Sequence, residues 1–287
     1  MCEVNSIKDR CVTVTLKRSQ WQAKRWDRGV TNQVEAQAGV SKVGKYTKDL
    51  LKGNKYLKDV QTKFGDVYRY VQENSLPWMS DGARIIPSSQ VLDFANEVRN
   101  LKDEAMAAVS RLYDHWDEAV QEDSNRMGSL FNALDYPSAG EMASRFDINL
   151  IIAPISDSND FRIDIGTDLK AELDKELEDV QAKATEHVMK MLLDPIKAMA
   201  EKLSIPSGES GSIFRDSLVS NVKDAAQRAL KLNINDNEKI AETCHQVLQS
   251  LSNVDAQTLR DSDSTRASVA GDMRSIQNKL SAFFPGV

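Results

Sequence analysis

Residues 91–119 read VLDFANEVRNLKDEAMAAVSRLYDHWDEA, and this stretch decides the fold class. Its apolar side chains, Val91, Phe94, Val98, Leu101, Ala105, Ala108, Leu112, Trp116 and Ala119, recur at alternating steps of three and four, the near-heptad spacing that lines one side of a helix. Ser88 or Ser89 is placed to cap it. A second stretch, 168–203, carries Leu169, Leu173, Leu177, Val180, Ala184, Val188 and Met191 in the same way and resumes after Pro195 with Ile196, Met199 and Leu203. Pro195 lacks an N–H and predicts a kink or an end near Leu193. Two matched stripes joined by about 45 residues predict a mainly α protein built on a long antiparallel helical hairpin. Additional helices and a small β-sheet of short strands complete it.

Working outward, Leu57, Val60, Phe64, Val67 and Val71 mark a further helix. A short helix is expected over 43–52, ended by Gly53-Asn54, and another over 21–39, marked by Trp21, Trp26, Val30 and Val34 and ended at Gly39. Val12, Val14 and Leu16 alternate with threonines and predict a strand, as do residues 83–87. Residues 148–155 and 161–165, separated by a polar turn, predict a hairpin. On the C-terminal side, 204–212 is the best linker. Beyond it come three helical stripes: Phe214 to Leu232, Ile240 to Val254, and Val269 to Phe283. Asn235 with Glu238 resembles a capping box, and Asp261 or Ser262 can cap the last helix. The expected organisation is a basic N-terminal region, 1–75, a central hairpin, 76–203, and a C-terminal three-helix segment, 212–287.

A chain of 287 residues with 41% hydrophobic and 28% charged residues has the composition of a folded protein, and 6% aromatics favour helix over sheet. No apolar run is long enough to span a bilayer, and charges interrupt the N-terminus where a signal peptide would be apolar, so a cytoplasmic protein with no membrane association is expected. Cys2, Cys11 and Cys244 lack the spacing of a disulfide framework or a metal knuckle. The net charge of −6 is unevenly spread: residues 1–75 hold 15 Lys+Arg against 8 Asp+Glu, a balance of +7 that leaves −13 on the rest. Such polarity steers a nucleic acid or an acidic partner to the basic end, or simply solvates helix faces.

The residues offer no catalytic constellation, so no enzyme activity, cofactor or metal is expected. His115, His187 and His245 stand apart from one another at helical spacing, and no nucleophile motif accompanies the acidic surroundings of His115. Residues 208–212 lack the lysine of a phosphate-binding loop, and Asp157, Asn159 and Asp160 lack the glycine and distal glutamate of a calcium loop. The carboxylates between Glu172 and Asp179 lie on the polar side of a stripe. What remains is cationic. Lys17, Arg18, Lys24, Arg25 and Arg28 interleave with Trp21 and Trp26, and Lys45, Lys48, Lys52 and Lys55, with Lys42 and Lys58, recur mainly every three or four residues. Such a set makes a phosphate-tracking stripe for nucleic acid or a contact for an acidic partner, and the tryptophans otherwise anchor a helix to the core.

Ile86-Pro87, Tyr113-Asp114-His115-Trp116, Tyr136-Pro137, Phe146, Pro154, Asp160-Phe161-Arg162, the run from Ile213 to Leu218, and Leu232-Asn233 together resemble an uncharacterised family of phage and prophage proteins. The likeness covers about residues 80–255 and leaves the basic region outside it. Genes of that family often neighbour those of a MoxR-type AAA ATPase and a von Willebrand factor A-type protein, which implies an adaptor or accessory role and carries over no catalytic residue. The first expectation is therefore a phage-encoded, non-enzymatic helical protein that contacts a protein partner, an AAA ATPase or a host factor. Nucleic-acid binding by the basic region is the alternative, and inhibition of a host defence enzyme a third. The helical seams can also pair between chains, giving a homo-oligomer.

Overall fold

A computed structural model of the chain describes residues 7–79, 82–155, 166–206, 209–210 and 213–283, excepting the side chains of 166–171, 173 and 174. In chain order the elements are α1 (Ile7–Arg10), β1 (Cys11–Ser19), β2 (Lys24–Trp26), α2 (Arg28–Ala38), β3 (Thr47–Asp49), α3 (Lys55–Glu73), β4 (Leu76–Pro77), β5 (Ala83–Pro87), α4 (Val91–Asp114), α5 (Trp116–Met127), α6 (Ala139–Ser144), β6 (Asp147–Pro154), α7 (Gly166–Leu203), α8 (Ser217–Lys231), α9 (Glu238–Ser250), α10 (Ala256–Asp261) and α11 (Asp263–Phe283). The fold is mainly α with a small antiparallel sheet, as the periodicities predict. The second strand of the expected 148–165 hairpin lies outside the described residues.

The elements form two compact units, neither contiguous in sequence. Unit 1 comprises Met1–Thr15, Gln72–Phe94 and Ile152–Val287; unit 2 comprises Leu16–Val71 and Ala95–Ile151. This differs from the three consecutive regions that the sequence suggests. The 1–75 region contributes to both units, and the proposed boundary at 203–212 falls inside unit 1.

Unit 1 is built around α7, which buries Val188, Met189, Leu192, Ile196, Met199, Ala200 and Leu203. Adjacent buried positions such as 188 with 189 and 199 with 200 make the apolar face wider than one helix can cover, so α8 and α11 both pack on α7 and α9 packs on those two. The C-terminal segment thus shares α7's core, and the hairpin expected between 91–119 and 168–203 is not specifically seen. Helix α7 also runs through Pro195 instead of ending near Leu193. Proline removes one backbone hydrogen bond, and the fully buried Leu192 and Ile196 anchor the turns on either side. The end of α7 and the turn after it are closed by the buried Arg266 of α11, which donates to the carbonyls of Leu203 (3.2 Å) and Ile205 (2.6 Å). Ser262 caps α11 as expected, its Oγ accepting from the Thr265 N–H. The cap of α9 is Asn237 instead of Asn235, whose amide donates across to Thr185 and the Gln181 carbonyl of α7. In the sheet, ordered β4-β5-β1-β6, β1 pairs antiparallel with β5 from Cys11↔Pro87 to Thr15↔Ala83.

In unit 2, α3 buries the five residues that its spacing marks, and Lys63–Glu104 (2.6 Å) and Arg111–Asp59 (2.7 Å) ion pairs tie it to α4. The 91–119 stripe is helical, but as two helices. His115 leaves the helix at φ −111°, ψ 19°, its Nδ1–H donating back to the Arg111 carbonyl and its ring stacked on Tyr56 at 4.2 Å. Two other expectations fail. Residues 43–52 form β3 and loop, and of 21–39 only Arg28–Ala38 is helical. The reason is β2: Arg25 pairs with Lys48 across the ribbon, and the Asp27 and Leu50 N–H groups extend the ladder to the carbonyls of Tyr46 and Ala23. Trp21 is buried edge-on against Trp116 at 5.3 Å, the anchoring use of that side chain.

Candidate interaction surface

The predicted cations all fall in unit 2, yet they do not form one stripe. Lys17 is exposed at the end of β1, and Arg18 lies over the Tyr68 ring at 4.3 Å. Lys24, Arg25, Arg28, Lys45, Lys52 and Lys55 are exposed, with Lys55 over Tyr56 and Lys52 beside Asp49 at 3.7 Å. Lys24, Lys52 and Lys58 share the rim of one concavity of about 390 Å³. Lys48 is the exception. Its side chain is 4% exposed, and its ammonium donates to the Leu130 carbonyl (3.1 Å), to Asp27 (3.0 Å) and to Asp135. Burial opposes its charge, but the two carboxylates overcome this and raise its pKa. Lys48 is therefore a structural cation.

Lys48 sits at the base of a polar cleft of about 560 Å³ whose mouth carries Arg25, Trp26 and Arg28. Trp26 remains 41% exposed, with the Arg28 guanidinium 4.8 Å and the Lys45 ammonium 5.1 Å from its ring centre. The indole N–H donates to Thr31 Oγ1 at 3.0 Å. That hydroxyl also accepts from the Tyr46 N–H and donates to the Asp27 carbonyl, tying β2, α2 and the start of β3 together.

Beside this cleft lies a groove of about 320 Å³ between α2 and residues 40–46. Of the eleven residues of α2 only Thr31 is buried. Val34 (54%), Val40 (47%), Val43 (69%) and Tyr46 (40%) all stay exposed around the groove. A helix this short is marginal in water without packing, and here its ends hold it. Asp27 Oδ1 accepts the Val30 N–H at 3.0 Å, and Gly39 closes the C-terminus at φ 65°. Glu35 reaches from α2 to the loop and accepts the Val43 N–H at 2.9 Å; that bond first, and one from Lys42, hold its pKa below the ordinary carboxylate value.

Compared with known proteins, the chain matches no family model, no curated protein and no solved structure. Its surface must therefore be read from its own chemistry. Among the described residues, no three His, Cys, Asp or Glu side chains gather into a possible metal site, and no helix is long and apolar enough to cross a membrane. The free Cys11 and Cys244 are buried, which pushes their thiols up to about 11 and about 12. Of the residues carrying the phage-family likeness, Tyr136 bonds the buried Asp123 and Trp116 and Phe146 lie in the core, while 160–162 fall outside the described residues. The apolar groove is what sequence reasoning missed. Val34 reads as a core position at helical spacing, and Val40 and Val43 show no periodicity to mark them.

Proposed function

We propose that the protein works by binding another protein through the surface formed by α2 and residues 40–46, with no chemistry of its own. The observation that carries this is the groove itself: large apolar side chains crowd around a helix that packs its own residues on almost nothing. The resemblance to the phage family supplies the first partner to try, a MoxR-type AAA ATPase to which this chain would be an adaptor; a host factor or host defence enzyme comes next. A reducing cytoplasm suits the two buried free thiols. A photo-crosslinking residue placed at Val43 should give a protein adduct in cells that disappears when Val34 is changed to Asp. Equal crosslinking with and without that change would refute the reading.

Nucleic-acid binding is the second reading, favoured by the rim of Lys24, Lys52 and Lys58. Against it, Lys48 is neutralised, and the exposed indole already carries two cations that a stacking base would displace. Binding to single- and double-stranded oligonucleotides across salt separates the two, since phosphate contacts weaken steeply as salt rises.

A further inference from the structure

The charges around the groove say what kind of protein segment fits it. The acids near it are already engaged: Glu35 is bound to backbone N–H groups of the 42–44 loop, and Asp27 to the Val30 N–H and to Lys48. The cations, by contrast, have no carboxylate partner among the described residues, and what two of them share is an aromatic ring. Lys45 lines the groove, Arg28 sits with it on Trp26, and Lys42, exposed at φ 58°, stands in the loop that closes one side. A positive rim around apolar walls disfavours a neutral or basic segment, because burying unpaired lysine and arginine beside it has an uncompensated desolvation cost.

We infer that the groove binds an acidic peptide segment carrying bulky apolar anchors, an inference that rests on the protein-binding reading above. The anchors cover Val34, Val40, Val43 and Tyr46, and flanking carboxylates meet Lys45, Arg28 and Lys42. Apolar burial supplies most of the affinity, and charge selects the partner and speeds its arrival.

The test uses the full chain and four labelled peptides of about 15 residues, long enough to cross a groove of this kind. Three share the same Leu and Phe anchors and differ in flanking Glu, Gln or Lys; the fourth keeps Glu and replaces the anchors with Ser. Fluorescence anisotropy should show saturable binding of the Glu peptide, about tenfold tighter than the Gln peptide, and none of the Lys or Ser peptides. Raising salt should erase the Glu preference. Val43→Asp should weaken binding by more than about tenfold, and Lys45→Glu should abolish the preference for Glu over Gln. Both side chains are exposed, so the variants should keep the wild-type circular dichroism. If the Gln or Lys peptide binds as well as the Glu peptide and Val43→Asp abolishes it, protein binding stands and the acidic preference is wrong. If no peptide binds, or Val43→Asp changes nothing, the groove is not a peptide site. A dimer in light scattering that Val43→Asp dissolves would make a second copy the occupant and overturn the inference; so would an oligonucleotide that competes for the same residues.

Discussion

Lys45 and Lys48 are three residues apart and look alike in sequence, so their contrast offers a sharp test. Replacing Lys48 by Met deletes an ammonium that satisfies Asp27, Asp135 and the Leu130 carbonyl at once. Removing one partner of a buried ion pair typically costs about 3–5 kcal/mol, because the remaining charge stays desolvated. The residual exposure of the carboxylates, 20% for Asp27 and 9% for Asp135, and the Arg25 guanidinium 3.4 Å from Asp135 soften this, giving roughly 2–4 kcal/mol. In thermal unfolding that is a fall in midpoint on the order of 10 °C for a unit of this size. Lys45→Met, at an exposed site, should stay within about 0.5 kcal/mol of wild type. Adding Asp135→Leu to Lys48→Met should restore part of the loss, since a buried pair replaced by apolar groups is often near neutral. The pH dependence has a definite sign. With its pKa raised above the ordinary 10.5, the ammonium contributes fully at neutral pH, and its contribution goes only as pH climbs through that raised value. A Lys48→Met variant as stable as Lys45→Met would refute the assignment of Lys48 as a structural cation.

Three other outcomes follow from the same structure. Asp123, 3% exposed, accepts from the Leu51 N–H (2.8 Å), Arg126 (2.6 Å) and the Tyr136 hydroxyl (2.5 Å), and holds Leu51 at φ 52°. Asp123→Ala should lower stability by about 3 kcal/mol and speed hydrogen exchange at the Leu51 amide, with Asp123→Asn milder. Burial alone would raise the Asp123 pKa, but Arg126, Tyr136 and Leu51 lower it below 3.8; its contribution is therefore present above that value and lost as pH falls further. Arg266→Met should uncap the end of α7 and cost about 2–3 kcal/mol, read by urea unfolding. Cys11 and Cys244 should resist alkylation near pH 8 in the folded chain and label rapidly in urea, as mass spectrometry would show.

How much of this was legible beforehand divides along a physical line. Periodicity reports that a side chain will be buried: the α3 stripe is buried throughout and those of α4 and the C-terminal helices mostly so, with Val91, Leu101, Leu218 and Val254 half-buried and Phe283 exposed. It does not report against what. The 91–119 and 168–203 stripes match in length and spacing, which predicts that they pair. Helix α7, however, buries neighbours such as Val188 with Met189 on too wide an arc for one partner, and α8 and α11 fill it. The N-terminal ribbon was illegible for a different reason. Three residues of β2 and three of β3 carry no alternation, and only the ladder from Arg25↔Lys48 makes them strands. That pairing in turn pulls Lys48 inward and leaves Lys45 outside, a distinction that depends on register and so has no trace in spacing. The groove follows the same logic. Val34 carries the signature of a core residue because an apolar side chain at helical spacing reads the same whether or not a neighbour covers it, and here it stays exposed. Burial alone tells the two cases apart: among the described residues Thr31 is the one buried side chain of α2, and spacing cannot report that.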